Sequence, residues 1–221
     1  MRPLPARIAC AALLAWLAAF AAAVRAAAPP ASETLVVLGD SLSAGYGIRA
    51  EEGWVTLLGR RLQAEGYGYR VVNASVSGET TDGGLARLPR VLATHHPAIL
   101  VVELGANDGL RGLPIAEMRH NLERIVAAAT AAGCKVLVIG MRMPENYGPE
   151  YTQRFAAAFA EVAKAQHAAL LPFLLQGIAL DESNFQGDRM HPIAAAQPKL
   201  LETVWPALKP LLRPAAAPAS R

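Results

Sequence analysis

Residues 34–45 read Thr-Leu-Val-Val-Leu-Gly-Asp-Ser-Leu-Ser-Ala-Gly, and this stretch decides the fold. Its first five residues form a short apolar run that is typical of a buried strand, and Gly39 ends that run. Ser41 is then expected on the turn at the carboxyl end of the strand. Open α/β sheets bind their ligands at this edge. The stretch therefore predicts a sheet that presents a serine at its ligand-binding edge.

Further short apolar runs follow along the chain and alternate with longer helical patterns. The predicted strands are residues 34–38, 69–73, 99–104, 135–139 and 169–171, the last being the weakest. The predicted helices are residues 54–65, 84–95, 115–132, 151–166 and 194–212. Because such alternation is typical of βαβ units, we predict an α/β fold with a five-stranded parallel sheet.

The N-terminal 26 residues have the pattern of a secretory signal peptide. Arg2 and Arg7 precede an uncharged apolar stretch over residues 8–24, and small residues follow it. Since residues 24–26 suit a cleavage site, we expect a cut after Ala26 and a periplasmic or secreted protein with no stable membrane anchor. A retained anchor is the alternative, because a stretch of 17 residues is at the lower edge of what crosses a bilayer.

Residues 27–212 are expected to form one domain, and residues 213–221 a disordered tail. Cleavage removes three arginines and no acid, which leaves 18 basic against 18 acidic residues. No block of Lys and Arg remains to form a nucleic-acid-binding face, so we exclude a nucleic-acid partner. We expect a monomer. Cys134 is then the one remaining cysteine, so no intrachain disulfide can form, and its apolar surroundings favour a buried, inert thiol.

The polar segments that need explaining fall directly after the predicted strands. They are residues 39–41, residues 75–80, residues 105–109, and Asp188 with His191. Right-handed crossovers bring the carboxyl ends of parallel strands to one edge of the sheet. We therefore expect these segments to converge at one site.

This set supplies each group that acyl transfer needs. Ser41 is the expected nucleophile, His191 the base, and Asp188 the group that fixes the imidazole tautomer. A spacing of three residues allows the acid and the base to touch within one turn. The backbone N–H groups of Ser41 and Gly78 and the side-chain amide of Asn107 are suitable donors to an oxyanion.

Four blocks of the sequence resemble, in order, the motifs of the SGNH or GDSL hydrolase family. They are GDSLSAGY at 39–46, NASVSGET at 73–80, ELGANDGLRG at 103–112 and DRMHP at 188–192. The likeness extends over nearly all of the chain after residue 26. It implies a flavodoxin-like, three-layer α/β/α fold with no metal or organic cofactor. It also implies the family's nucleophile, oxyanion glycine, oxyanion asparagine, acid and base at Ser41, Gly78, Asn107, Asp188 and His191, respectively.

The substrate is predicted less directly. Aliphatic side chains in the loops after the third and fourth strands are candidates to line an acyl groove: Leu110, Leu113, Ile115, Met141 and Met143. The resemblance implies hydrolysis of acyl thioesters, lysophospholipids and aryl or short-chain alkyl esters. One alternative is carbohydrate deacetylation, which would favour polar loops at the rim. The other is a secreted binding module with an inactive pocket, against which the complete catalytic set argues.

Overall fold

The computed structural model of the protein describes residues 33–214 of the 221-residue chain. The predicted signal peptide, residues 1–26, lies outside the described residues. So does the predicted tail, apart from residues 213 and 214. Within the described range, no helix is both long enough and apolar enough to cross a membrane.

Five strands form one parallel sheet, as predicted. They are β1 (Glu33–Gly39), β2 (Tyr69–Asn73), β3 (Ile99–Glu103), β4 (Lys135–Ile139) and β5 (Ala169–Leu171). Their order across the sheet is β2-β1-β3-β4-β5, which is the flavodoxin-like order. Because the direction of winding reverses between β1 and β3, a crevice opens outside the carboxyl ends of these two strands.

Strands β1 and β3, which are neighbours inside the sheet, are buried along almost their whole length. In β1 only Glu33 is exposed, and in β3 every residue is buried. Strands that are covered on both faces read as continuous apolar runs, which is why the sequence revealed them. Their register pairs Leu35 with Ile99 and ends by pairing Gly39 with Glu103 at the carboxyl edge.

Seven α-helices lie within the described residues. They are α1 (Ser41–Ala44), α2 (Trp54–Ala64), α3 (Thr81–His95), α4 (Ala106–Leu110), α5 (Ile115–Ala131), α6 (Pro149–Ala165) and α7 (Gln197–Leu208). Helix α2 packs against α7, whereas α3 and α6 both pack against α5. These two groups cover opposite faces of the sheet, as right-handed crossovers require. The predicted three-layer α/β/α fold is confirmed.

The helices differ from the prediction mainly at their ends. Helix α3 begins at Thr81 instead of residue 84, because the Thr80 side chain caps it by accepting the Gly83 N–H at 3.3 Å. Helix α6 begins at Pro149, since proline suits the first helical turn. The predicted last helix is divided into α7 and two flanking 3₁₀ turns. The short helices α1 and α4 were not predicted.

Cys134 is a core residue, as predicted. Its side chain is buried directly before β4, and Sγ donates to the Pro97 carbonyl at 3.0 Å. Burial raises the pKa of the thiol, so the reactive thiolate is disfavoured.

Candidate active site

Ser41 is the first residue of α1 and follows the carboxyl end of β1 by two residues. Asp40 caps this one-turn helix, because its Oδ1 accepts the Leu42 N–H at 3.0 Å. Gly45 ends the helix with φ of 75°, a left-handed conformation that glycine adopts without strain. Among the described residues, no backbone or side-chain acceptor takes the Ser41 N–H, which leaves it available to a ligand.

The side chains of Ser41, His191 and Asp188 form a continuous hydrogen-bonded chain. Ser41 Oγ lies 2.9 Å from His191 Nε2, and His191 Nδ1 lies 2.7 Å from Asp188 Oδ2. The other carboxylate oxygen, Oδ1, accepts the N–H groups of Met190 and His191 at 2.9 and 3.0 Å. Hydrogen bonds from the His191 N–H, the His191 ring and the Met190 N–H lower the pKa of Asp188 to about 2. The carboxylate is therefore ionised at neutral pH and fixes the tautomer in which Nε2 faces the serine as an acceptor.

The segment after β5 reaches Ser41 because it is folded into a tight hairpin. Phe185 and Pro192 form an antiparallel bridge, and the Gln186 N–H donates to the His191 carbonyl at 2.8 Å. The Gln186 side chain then donates to the Tyr46 carbonyl at 2.7 Å, which ties the hairpin to the loop after β1. The Tyr46 ring also lies 4.6 Å from the His191 ring, centroid to centroid. These contacts hold the imidazole beside a serine that is 150 residues away in the sequence.

Gly78 and Asn107 line the same cavity as Ser41. Gly78 has φ of 79°, and its carbonyl accepts from Arg111 Nη2 at 2.7 Å. No acceptor among residues 33–214 takes its N–H. Asn107 Nδ2 donates to Asp40 Oδ2 at 3.1 Å, which leaves the second amide hydrogen for a ligand. The structure thus brings all three predicted oxyanion donors to one cavity.

Asn107 is held in place by its neighbours on α4. The Asp108 carboxylate accepts the Thr81 N–H at 2.9 Å and the Thr81 hydroxyl at 2.5 Å, which joins α4 to the start of α3. The Tyr151 hydroxyl of α6 donates to the Gly109 carbonyl at 3.2 Å. Two neighbouring helices therefore fix the turn that carries the amide.

A cavity of about 680 Å³ opens at the hydrogen-bonded chain. Its lining is mainly apolar and includes Leu110, Met141, Met143, Phe173, Leu175 and Phe185. This size and character suit a small ligand with a large apolar part. Within the described chain, no group of three or more His, Cys, Asp or Glu side chains is arranged to hold a metal ion.

Two of the predicted groove residues are wrong. Leu110, Met141 and Met143 line the cavity, whereas Leu113 and Ile115 do not. Leu113 follows the end of α4, where its N–H bonds to the Asp108 carbonyl at 2.9 Å, and its side chain is exposed to solvent. Ile115 starts α5 and packs against the hydrophobic core.

Large exposed apolar side chains surround the same edge of the sheet. Within residues 33–214 they are Tyr46, Val76, Leu113, Tyr147, Leu180 and Met190. One lies in the connection after each of β1 to β4, and two lie after β5. The edge that carries the cavity is therefore also the edge at which apolar side chains face solvent.

Sequence reasoning missed the buried acids Asp40 and Glu103, which are next to Ser41. Glu103 Oε2 accepts from Ser43 Oγ at 2.7 Å and from the Asp40 N–H at 3.4 Å. Burial, together with the negative charge of Asp40, raises the pKa of Glu103 well above its usual range. Burial likewise raises the pKa of Asp40 to about 6. The sequence contained a signal for Glu103, because it is the single acid in the otherwise apolar run of residues 99–104.

Comparison with known proteins identifies the family. Residues 37–197 match the GDSL-like lipase/acylhydrolase family. The chain is 52% identical over 182 residues to the esterase TesA of Pseudomonas aeruginosa, covering 82% of this chain and 90% of that protein. It is 41% identical over 182 residues to thioesterase 1/protease 1/lysophospholipase L1 of Escherichia coli K12, covering 82% and 86%. A crystal structure of TesA is similar with a TM-score of 0.80 and 52% identity, covering 81% of this chain and all 100% of that one. The resemblance of the four sequence blocks is confirmed, and the chain belongs to the GDSL-like lipase/acylhydrolase family.

Proposed function

We propose that the protein is a serine esterase that hydrolyses aryl esters, lysophospholipids and acyl thioesters. The observation that carries this proposal is the hydrogen-bonded chain from Ser41 through His191 to Asp188, at 2.9 and 2.7 Å, in the wall of an apolar cavity. The names of the relatives agree with it. One is called an esterase, and another is called a thioesterase and a lysophospholipase.

In the first step, Ser41 Oγ attacks the acyl carbonyl carbon and His191 Nε2 takes the hydroxyl proton. Asp188 stabilises the imidazolium that forms, without being protonated itself. The carbonyl oxygen becomes an oxyanion, which accepts hydrogen bonds from the Ser41 N–H, the Gly78 N–H and the Asn107 amide. A donor of this kind contributes roughly 3–4 kcal/mol to stabilisation of the transition state.

The tetrahedral intermediate then collapses. His191 gives the proton to the leaving alcohol or thiol, and the acyl group remains bonded to Ser41. A water molecule attacks the acyl-enzyme, and His191 removes a proton from it. The second intermediate releases the carboxylic acid, and His191 returns the proton to the Ser41 hydroxyl. The enzyme is then regenerated in its original protonation state.

The shape of the site favours acyl chains over sugars. A carbohydrate deacetylase of the same family would need polar groups around the acetyl site to bind hydroxyls. Here the cavity is lined by Leu110, Met141, Met143 and Phe173, and its lining is mainly apolar although Arg142, Glu145, Glu182 and Arg189 also contribute to it. The surrounding rim exposes further apolar side chains. Methionine adapts to chains of different shape, which suits a broad range of acyl groups.

Hydrolysis of p-nitrophenyl esters from acetyl to palmitoyl tests the proposal. We expect turnover by the wild type and a loss of roughly 10⁶-fold in kcat in Ser41→Ala. Ser183→Ala is the matched control, because the hydrogen bonds of this exposed serine to residues 33–214 stay within its own turn, at 2.6 Å and 3.0 Å to Asp181, and it does not line the cavity. A folded wild type that neither turns over an ester nor reacts with a fluorophosphonate at Ser41 would instead be a binding module.

We also propose that the protein is exported, cleaved after Ala26 and active as a monomer of residues 27–221. The apolar stretch at residues 8–24, bounded by arginines, supports export. The N-terminal sequence of the protein from the periplasm or medium tests the cleavage site. Light scattering during size-exclusion chromatography tests the oligomeric state. An intact N-terminus in the membrane fraction would favour the retained anchor.

A further inference from the structure

Two buried carboxyl groups lie side by side next to the nucleophile. Asp40 is 1% exposed and Glu103 is 0% exposed, and Glu103 Oε2 lies 3.4 Å from the Asp40 backbone nitrogen, so the two carboxyl groups are close neighbours. The register of β1 and β3 forces this approach, because Gly39 pairs with Glu103 and Asp40 follows directly. Two carboxylates in contact inside a protein cannot both be ionised without a large cost. The pair must therefore hold a proton.

The hydrogen bonds show which member of the pair is charged. Both oxygens of Asp40 accept from donors: Oδ1 from the Leu42 N–H at 3.0 Å and Oδ2 from Asn107 Nδ2 at 3.1 Å. Glu103 accepts only on Oε2, from Ser43 and from the Asp40 N–H. Its Oε1 is buried and accepts no hydrogen bond from a donor among the described residues. Since hydrogen bonds to the charged form favour ionisation, Asp40 is the carboxylate and Glu103 the neutral acid.

We propose that Asp40 and Glu103 share one proton and together position the oxyanion-binding amide of Asn107. Glu103 donates its proton to the Asp40 carboxylate, and that carboxylate holds one amide hydrogen of Asn107. The amide is thereby fixed with its other hydrogen available to the oxyanion. Neither acid touches the reacting atoms, so both are positioning residues. This inference rests on the proposed function, because it explains how an ester hydrolase prepares its oxyanion donor.

The surroundings of the pair decide its response to pH. Of the titratable groups packed around the pair in the described chain, His191 acts on Asp40, and the positive charge that His191 gains when it takes the serine proton favours the ionised carboxylate. The other nearby acids are directed elsewhere, Asp108 to Thr81 and Asp188 to the outer nitrogen of His191. Acidification protonates Asp40 and weakens its bond to the amide. Alkali removes the proton of Glu103 and leaves two buried negative charges.

Three variants separate positioning from a general structural role. Glu103→Gln keeps a hydrogen-bond donor that cannot ionise, so we expect kcat for p-nitrophenyl butyrate near the wild-type value and a weaker decline at alkaline pH. Asp40→Asn replaces the carboxylate, and we expect kcat to fall by up to about 10²-fold with KM unchanged. Complete loss of an oxyanion donor lowers kcat by about 10²- to 10³-fold, so this is the lower end of that range. Because both changes act through one amide, Asp40→Asn should cost little in an Asn107→Ala background.

Infrared spectroscopy detects the shared proton directly. We expect the carbonyl band of a protonated carboxylic acid in the wild type at neutral pH, and its loss in Glu103→Gln. Absence of the band from the wild type, or its persistence in Glu103→Gln, would overturn the proposal. So would additive losses in the Asp40→Asn and Asn107→Ala double variant. If Asp40→Asn does not fold, the infrared band of the wild type and the dependence of kcat on alkaline pH in Glu103→Gln test the proposal. A wild type with the band but no esterase activity would refute the proposed function and leave the shared proton established.

Discussion

Replacing Asp188 with asparagine inverts the tautomer of His191. The variant keeps one side-chain oxygen, and the N–H groups of Met190 and His191 hold it, as they hold Oδ1 at 2.9 and 3.0 Å in the wild type. The new amide group then faces His191 Nδ1, which lies 2.7 Å from Oδ2 in the wild type. A donor at that position makes Nδ1 the acceptor and puts the ring proton on Nε2. That nitrogen faces Ser41 Oγ at 2.9 Å and can no longer take its proton.

We expect this substitution to lower kcat by about 10⁴-fold, the loss that the wrong tautomer causes in a serine triad. This corresponds to about 5.4 kcal/mol of transition-state stabilisation. Steady-state hydrolysis of p-nitrophenyl butyrate measures it, and the rate of labelling by a fluorophosphonate should fall in parallel. The loss should appear in kcat, because the proton transfer occurs only after the ester has bound.

Asp181→Asn is the matched control for this experiment. Asp181 is an exposed acid in the same connection after β5, where it caps a 3₁₀ turn and does not line the cavity. We expect its substitution to leave kcat unchanged. If folded Asp188→Asn kept kcat within tenfold of the wild type, Asp188 would not fix the tautomer and the assignment of the triad would be wrong.

Four further predictions concern packing, specificity and titration. A methyl group on Gly109 would lie 2.7 Å from Met143 Sδ, so we expect Gly109→Ala to lower the free energy of unfolding by about 1–3 kcal/mol, measured by urea denaturation. Leu110→Ala should lower kcat/KM for octanoyl esters about tenfold, from the roughly 1.5 kcal/mol of a lost apolar contact, and leave acetyl esters nearly unchanged. Thiol reagents should modify Cys134 only in denaturing urea, since the thiol is buried. The pKa of Asp188 falls from about 3.9 in the unfolded chain to about 2 in the fold. The ionised carboxylate therefore stabilises the fold fully above about pH 3.9, and this stabilisation is lost as the pH falls through about 2. On acidification from about pH 4 to about pH 2, the free energy of unfolding should therefore decrease less in Asp188→Ala than in the wild type.

The sheet could be predicted because burial on both faces leaves a plain record in the sequence. Strands β1 and β3 are nearly continuous runs of aliphatic residues, and their bounds were predicted to within one residue. The short helices α1 and α4 left no such record. Each is a single turn whose start depends on a local cap, Asp40 for α1 and Gly105 with φ of 118° for α4. Periodicity cannot reveal one turn, so the two elements that carry Ser41 and Asn107 were the ones missed.

The convergence of the polar segments followed from topology, but the direction of individual side chains did not. A parallel sheet collects its loops at one edge, which placed Ser41 and His191 near each other before any distance was known. Hydrophobicity alone also predicted that Leu110 and Leu113 would both line the groove. Only Leu110 does so, because the turn that ends α4 leaves Leu113 exposed outside the cavity lining. Residue type predicts burial better than it predicts which surface a loop residue faces.

The protonation state of Glu103 could not be predicted from the sequence, although an acid in an apolar strand is visible there. An acid at the end of an apolar strand is costly if charged, but much less so if it is neutral and hydrogen-bonded. Its protonation depends on Asp40, which is 63 residues away and becomes its neighbour only through the register of β1 with β3. The carboxylate of Asp40 in turn depends on the Asn107 amide that it holds. The charge state of this site is therefore a property of two strand ends packed together, and no single segment of the chain determines it.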